Sequence, residues 1–419
     1  MKERRTAILV GVNINNSDDF EYSMEELENL TIACDFEVVD VLTQNSDQLH
    51  KGHYLGKGKL EELTNAIEEK KIDRAIFYDE LTPMQIRNIE RYLKCTIMDR
   101  TNLILDIFAS RAKTKEAKLQ VEIAQLQYML PHLAGSYEDL GRQGGGSGLS
   151  NRGAGETKLE LDKRKMLQKI SVCKNELEKI TNERAVRRNL RKSEQVPIVS
   201  LVGYTNSGKS TIMNAFVDLY SDNEEKKVFE ENMLFATLDT SVRQINIKNE
   251  KKFLLTDTVG FVDKLPHKLI KAFRSTLEEI LDADVIIHVV DYSNSNYEKQ
   301  IEVTNNTLAE IGAQDIPIVY AYNKCDLTEN KKYGVSENKV YMSARTKAGI
   351  EDLIDLITKV IMKDYHICKM LIPFENGNIT SYLLENCKIN SKEHTEQGTL
   401  LELQCSSSIY NKHKQYVLD

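Results

Sequence analysis

Residues 203–210 read Gly203-Tyr204-Thr205-Asn206-Ser207-Gly208-Lys209-Ser210, the G-x-x-x-x-G-K-S spacing of a phosphate-binding loop. The chemistry needs these residue types. Glycines let the backbone turn tightly, so that successive N–H groups can point at phosphate oxygens. Lys209 would reach the β- and γ-phosphates, and the Ser210 hydroxyl would bind Mg²⁺. An accidental glycine-rich turn is the plain alternative. It lacks the flanks seen here: the apolar run 197–202 reads as a buried strand, and residues 211–217, from Thr211, read as a helix whose N-terminus adds partial positive charge.

Three more stretches fit the same site. Residues 253–256 form an apolar run that ends in Asp257-Thr258-Val259-Gly260, a D-x-x-G. The aspartate would hold Mg²⁺ through water, and the glycine N–H would meet the γ-phosphate. Residues 316–322 form another such run, ending in Asn323-Lys324-Cys325-Asp326. The Asp326 carboxylate can accept from both the ring N–H and the exocyclic amine of guanine, a donor pair adenine lacks. Sites built on such hydrogen bonds reject the mismatched partner by about 10⁴-fold or more. Asn323 would brace the loops, and the Lys324 stem would cover the base. Ser343-Ala344-Arg345 would supply a backbone N–H to the guanine carbonyl oxygen. Phe235-Ala236-Thr237-Leu238-Asp239 lies in a polar loop, with Thr237 the expected second metal ligand ahead of Thr240 and Ser241. The order of the parts selects GTP over ATP. Phe261 stands where many GTPases carry the glutamine that orients the attacking water, so no catalytic side chain is identified in cis. Intrinsic hydrolysis is expected to be slow, on the order of 10⁻³ s⁻¹ or less.

The chain that must position these residues has 419 of them, enough for several domains. No run of about 18 apolar residues suggests a membrane span, and no apolar signal region follows the basic start, so a cytoplasmic protein is expected. The seven scattered cysteines form no C-x-x-C, which argues for reduced thiols over a disulfide framework or a zinc site. A net charge of −8 excludes blanket nucleic-acid binding; any such contact needs a local basic patch.

The expected architecture is multidomain α/β. A small parallel α/β domain spans residues 1–110, a helical hairpin arm 111–192, a doubly wound nucleotide domain 196–365 and a small α/β domain 366–419. In the first, strands are expected at 6–12, 37–42, 74–79 and 95–98. Helices are expected at 60–67 and from Thr82-Pro83 through Leu93, where a Thr N-cap precedes a first-turn proline. Gly52–Lys59 imitates a phosphate loop, but only three residues separate Gly52 from Gly56 and no hydroxyl follows Lys57. A flexible basic turn before a helix is the better reading, with room for weak anion binding. In the arm, Ala112, Leu119, Ile123, Leu126 and Leu130 repeat at sevens, fours and threes, as do Leu159, Met166, Ile170, Cys173, Leu177 and Ile180. Each is a narrow seam suited to a coiled-coil hairpin. Between them, residues 135–156 are glycine-rich and carry Arg142, Gly144, Gly145, Gly146 and Arg152. The stretch is far longer than a hairpin link requires, so a tip that orders against a large partner is favoured over a plain connector. The second helix is crowded with lysine and arginine, equally consistent with a solvated face and with a phosphate-backbone footprint.

Taken together, these stretches resemble the HflX GTPases of the Obg–HflX group. The resemblance rests on residues 56–63, 99–109, 118–126, the glycine loop with 155–160, the phosphate loop, Phe235–Asp239 and Asp257–Phe261. It implies a monomeric GTPase that binds the large ribosomal subunit and rRNA, splits stalled or idle ribosomes under stress, and inserts its glycine tip near the peptidyl-transferase region. It also implies weak ATP binding by the N-terminal domain. The segment after Asp239 lacks the family's usual proline, and Arg345 replaces the commoner lysine. A GTP-gated rRNA-binding checkpoint factor and a ribosome-independent scaffold are the competing readings; the basic helix and glycine tip disfavour the scaffold.

Overall fold

Apolar runs of strand length that alternate with amphipathic segments build two parallel sheets, in line with the expected α/β class. The structure, a computed structural model, describes residues 5–137, 151–193, 196–220, 234–235, 238, 240–247, 251–263, 277, 279–362 and 365–418. It divides into two compact units: Met1–Asn182 with Phe229–Thr240 and Val259–Leu277, and Glu183–Val228 with Ser241–Thr258 and Glu278–Asp419.

In the first unit, β1 (Arg5–Ile14), β2 (Phe36–Ser46), β3 (Arg74–Phe77) and β4 (Thr96–Asp99) form a parallel sheet ordered β2-β1-β3-β4. Strand β1 is buried on both faces, and Ile8, Val10 and Phe77 pack with Leu60, Leu63 and Ile67 of α2 (Lys57–Lys70). Helix α3 (Pro83–Glu90) opens on a capping box: the Thr82 hydroxyl accepts from the Gln85 N–H, and the Gln85 amide accepts from the Thr82 N–H. The turn at 50–56 is tied down. His50 bridges Tyr54, the Gly56 N–H donates to the Gln44 amide, and Asn88 donates to the Gly52 carbonyl. Lys57, Gly58 and Lys59 already belong to the first turn of α2.

Sequence periodicity missed α1 (Phe20–Ala33) and α4 (Arg100–Arg111). The reason lies in their polar buried residues. Glu26 of α1 and Arg100 of α4 form a buried ion pair, with Ser23 and Thr31 buried nearby in α1. Ala112 does not join the hairpin seam as expected. It is the extended C-cap of α4, and Thr114 then caps a new helix by accepting from the Ala117 N–H. That helix, α5 (Lys115–Tyr137), pairs with α6 (Asn151–Ser193). Leu119 and Ile123 meet Ile170 and Cys173, flanked by Leu126, Leu177 and Ile180, as the seam requires. The two helices extend into both ends of the stretch read as loop. Arg142 and Gly144–Gly146 lie outside the described residues, and Arg152 falls in the first turn of α6, its side chain undescribed.

The second unit holds a seven-stranded sheet ordered β10-β11-β9-β8-β5-β7-β6. Its strands are β5 (Ile198–Gly203), β6 (Ser241–Ile247), β7 (Lys251–Asp257), β8 (Val285–Asp291), β9 (Ile318–Asn323), β10 (Gly334–Ser336) and β11 (Lys339–Tyr341). All neighbours run parallel except β6 and β10, the edge strands. Helices α7 (Lys209–Tyr220), α8 (Tyr297–Ile311) and α9 (Ile350–Met362) cover it. A separate antiparallel sheet of β12 (Tyr365–Ile372), β13 (Lys388–Thr395), β14 (Gly398–Ser406) and β15 (Val417–Leu418), ordered β13-β14-β12-β15, closes the C-terminal part around Met370, Leu401 and Leu403. Among the described residues, no helix is long and apolar enough to cross a membrane.

Candidate functional site

The carboxyl ends of parallel strands are where a doubly wound sheet binds ligands, and β5, β7, β8 and β9 end there in Gly203, Asp257, Asp291 and Asn323. Between β5 and α7 the loop turns on Gly203 (φ +148°) and Gly208 (φ +96°), with Asn206 left-handed at φ +60°. A Cβ on Gly203 would meet the Val289 carbonyl at 2.2 Å. One on Gly208 would meet the Asn323 amide nitrogen at 2.2 Å. Both glycines are therefore demanded by close approach as well as by backbone angle.

Lys209 is buried and donates to the carbonyls of Gly203 (3.1 Å) and Tyr204 (2.8 Å). Burial holds its pKa down to about 8, with Asp257 pulling upward and Lys324 downward. The ammonium thus folds back over the concavity that its own loop encloses. The Ser210 hydroxyl donates to Asp257 Oδ2 at 2.7 Å. An alcohol and a carboxylate side by side are hard oxygen donors that suit a small divalent cation. Thr258 donates to the Leu201 carbonyl at 2.7 Å and locks the end of β7 to β5.

Asn323 ties the base-reading loop to the phosphate loop. Its amide donates to the Ser207 carbonyl at 2.9 Å, and its oxygen accepts from the Ala344 N–H at 2.9 Å. The sequence offered one backbone N–H of Ser343–Arg345 to the guanine oxygen; in this structure that of Ala344 serves Asn323. Ser343 is fully buried, its N–H bonded to the Ala348 carbonyl and its hydroxyl accepting from Thr346 N–H. Lys324 is left-handed (φ +65°), and its ammonium meets Asp291 Oδ2 at 2.7 Å. Cys325 is buried, Asp326 half-buried and Arg345 exposed. Asp291 was missed from sequence. The signal was available: an apolar run, 285–290, ends in an acid just as 253–256 does. His288, also missed, is buried beneath the sheet end and pushed down to about 3, first by burial and then by Lys209, so it stays neutral.

The remaining expected residues belong to the first unit or lie outside the described residues. Val259 and Phe261 are buried in the first unit, which also holds Gly260. Phe235 sits at φ +55° with its ring edge-on to Phe108 of α4, centroids 4.6 Å apart. Arg100 donates to the Asp263 carbonyl at 3.0 Å while paired with Glu26. Leu238 is buried; Ala236, Thr237 and Asp239 are outside the described residues.

A phosphate loop, an acid at the end of β7 and an Asn-Lys-x-Asp braced against that loop define a P-loop GTPase, an enzyme that hydrolyses GTP. Comparison with known proteins narrows the class. Residues 21–109 match the family described as GTP-binding GTPase N-terminal, 111–191 the GTP-binding GTPase Middle Region, and 198–324 the 50S ribosome-binding GTPase family. GTPase HflX of Caldanaerobacter subterraneus subsp. tengcongensis is 40% identical over 417 residues, covering 100% of this chain and 95% of its own. GTPase HflX of Escherichia coli (strain K12) is 36% identical over 400 residues, covering 94% and 92%. A GTP-binding protein of Sulfolobus solfataricus, solved with GDP, is 26% identical, covers 86% of this chain and 99% of its own, and superposes with a TM-score of 0.44. The chain belongs to the HflX family of GTPases.

Proposed function

We propose that this chain binds the large ribosomal subunit in its GTP-bound state, splits stalled or idle ribosomes, and is released after hydrolysis. The observation that carries the nucleotide half is the Asn323 side chain, which joins the Ser207 carbonyl to the Ala344 N–H and so links phosphate and base recognition in one rigid unit. In this reading residues 203–211 wrap the phosphates, Asp326 reads guanine, and Ser343–Arg345 close over the base. Ser210, with Asp257 acting through water and Thr237, would hold Mg²⁺, which when bound neutralises charge developing on the phosphates. The ribosome half is supported by the description of the family matched over 198–324 and by the long glycine-rich stretch between α5 and α6. Arg142, Gly144–Gly146 and Arg152 are its proposed rRNA contacts. The cytoplasm is the compartment this work requires.

Sedimentation of intact ribosomes incubated with the protein and a non-hydrolysable GTP analogue tests the proposal. Free subunits are expected. Intact ribosomes carrying bound protein would instead establish a checkpoint factor without splitting activity, and no co-sedimentation would remove the ribosome from the account.

A further inference from the structure

Parallel sheets are normally covered by helices on both faces. Here one stretch of the seven-stranded sheet is not. The connection from β9 to β11, residues 324–338, contains a 3₁₀ turn (Cys325–Leu327) and the short edge strand β10, and no α-helix. Helix α9 packs beneath β8 and β9, and α8 lies mainly against β5 and β8, with only its first residue, Tyr297, reaching the Tyr322 ring on β9. Ala321 and Val340 point into the core beneath. On the other face the strands offer Tyr322 opposite Tyr341, and Tyr320 opposite Lys339.

These side chains form an ordered aromatic surface. Tyr322 and Tyr341 stack, centroids 4.9 Å apart and planes 25° apart. Tyr292 sets its ring edge-on to both, at 5.6 and 5.2 Å, and Tyr297 extends the cluster, 5.4 Å from Tyr292. Lys332 places its ammonium 4.0 Å from the Tyr341 ring centre, and Lys339 lies 5.9 Å from that of Tyr322. Tyr341, Tyr292 and Tyr297 are partly exposed, Lys331, Lys332 and Tyr333 are exposed, and Tyr322 is buried. Half-exposed rings interleaved with ammonium groups combine what a single-stranded nucleic acid needs: flat faces for bases and positive charge for the phosphodiester chain.

We propose that this face, built on β9, β11 and the 324–338 connection, binds a single-stranded RNA segment by base stacking on the tyrosines and phosphate pairing with Lys332 and Lys339. The proposal rests on the ribosomal reading above, and the segment is then an unpaired stretch of the subunit's RNA. It is separate from the arm: the basic crowd on α6 can neutralise phosphates but carries no aromatic platform.

The test uses the full chain and a short fluorescein-labelled oligouridylate at low salt, read by anisotropy. Tyr341→Leu keeps apolar volume and all charge, so electrostatic binding to α6 is constant and only stacking is lost. It should weaken binding at least about fivefold. The double variant Lys332→Glu/Lys339→Glu, at exposed or half-exposed positions, should weaken binding and flatten its salt dependence. The chain has no tryptophan, so quenching of tyrosine emission by the oligonucleotide should accompany binding and shrink in Tyr341→Leu. Absence of binding by the parent protein, equal affinity for both variants, or preferential binding of polyglutamate would each overturn the proposal. Co-sedimentation of the parent protein with large subunits is scored in parallel. Its failure removes the ribosomal reading, whereas its success with unaltered oligonucleotide binding by the variants removes only this face.

Discussion

Lys209 is a cation held where only a phosphate would make it comfortable. Its two carbonyl partners are neutral, and burial, aided by Lys324 and opposed by Asp257, brings its pKa from 10.5 to about 8. A lysine with a depressed folded pKa penalises the fold fully below that value, and the penalty fades as pH rises toward 10.5. For nucleotide-free protein, stability relative to Lys209→Met should therefore shift in favour of the parent by about 3 kcal/mol between pH 7 and pH 10.5. Urea titrations of both proteins at three pH values measure that slope, and a flat difference would show that the ammonium is solvated. Asp326 makes the second prediction at this scale. Asp326→Asn should exchange guanine preference for xanthine preference, because an amide cannot accept from both base donors. Competition of GDP and XDP for the variant decides it, and retained guanine preference contradicts the assignment. These residues were legible from sequence because phosphate and guanine chemistry prescribe residue types at fixed spacing. The brace was only half legible. Asn323 could be named, but its demand for a glycine at 208 exists only in the folded loop, where a Cβ would sit 2.2 Å from the amide nitrogen.

Elements were legible where their buried face was apolar and obscured where it was not. The seam of α5 and α6 could be read at sevens and fours because Leu119, Ile123, Ile170 and Cys173 are all apolar. Helix α1 escaped because Ser23, Glu26 and Thr31 share its buried face with Met24, Leu27 and Leu30. Its pairing with α4 depends on an arginine 74 residues away, which no local period encodes. The break at Ala112 was missed for a related reason: an alanine fits a helical seam and an extended cap equally well, and Thr114 decides the matter by capping the next helix. The seam itself can be tested. Ile123→Ala should cost about 2–4 kcal/mol of stability by opening a cavity between α5 and α6. Because Ile123 lies in the first unit and the phosphate and base loops in the second, affinity for GDP should stay within about twofold, the margin of a surface-like change at the site. Chemical denaturation paired with equilibrium nucleotide binding checks both halves, and a parallel loss of affinity would mean that the seam reaches the nucleotide.

At the scale of the whole molecule, the expected nucleotide residues are assigned to both compact units, which the order of motifs along the chain did not reveal. Phosphate and base loops belong to the second unit, while Phe235, Val259, Gly260 and Phe261 belong to the first. Phe261 is fully buried and offers no group to orient water. The residues that would sense the γ-phosphate are thus packed among aromatic and ionic contacts of the N-terminal sheet domain: Phe235 on Phe108, and the Asp263 carbonyl on Arg100. A GTPase of this design is expected to hydrolyse slowly until something else supplies or positions the missing donor. The charge distribution suggests where that happens, since in a chain of net charge −8 the arm, residues 111–192, is locally basic, with 18 lysines and arginines against 10 acids. Replacing Arg142 and Arg152 together with alanine should leave intrinsic turnover unchanged and reduce large-subunit-stimulated turnover by about tenfold or more, the range seen when a charge-assisted contact to phosphate is removed. Single-turnover hydrolysis with and without large subunits measures the ratio. Because the two arginines flank a glycine-rich stretch far in sequence from every nucleotide motif, an equal fall in both rates would trace the defect to folding. A fall in stimulated turnover alone places the activating partner at the arm's tip.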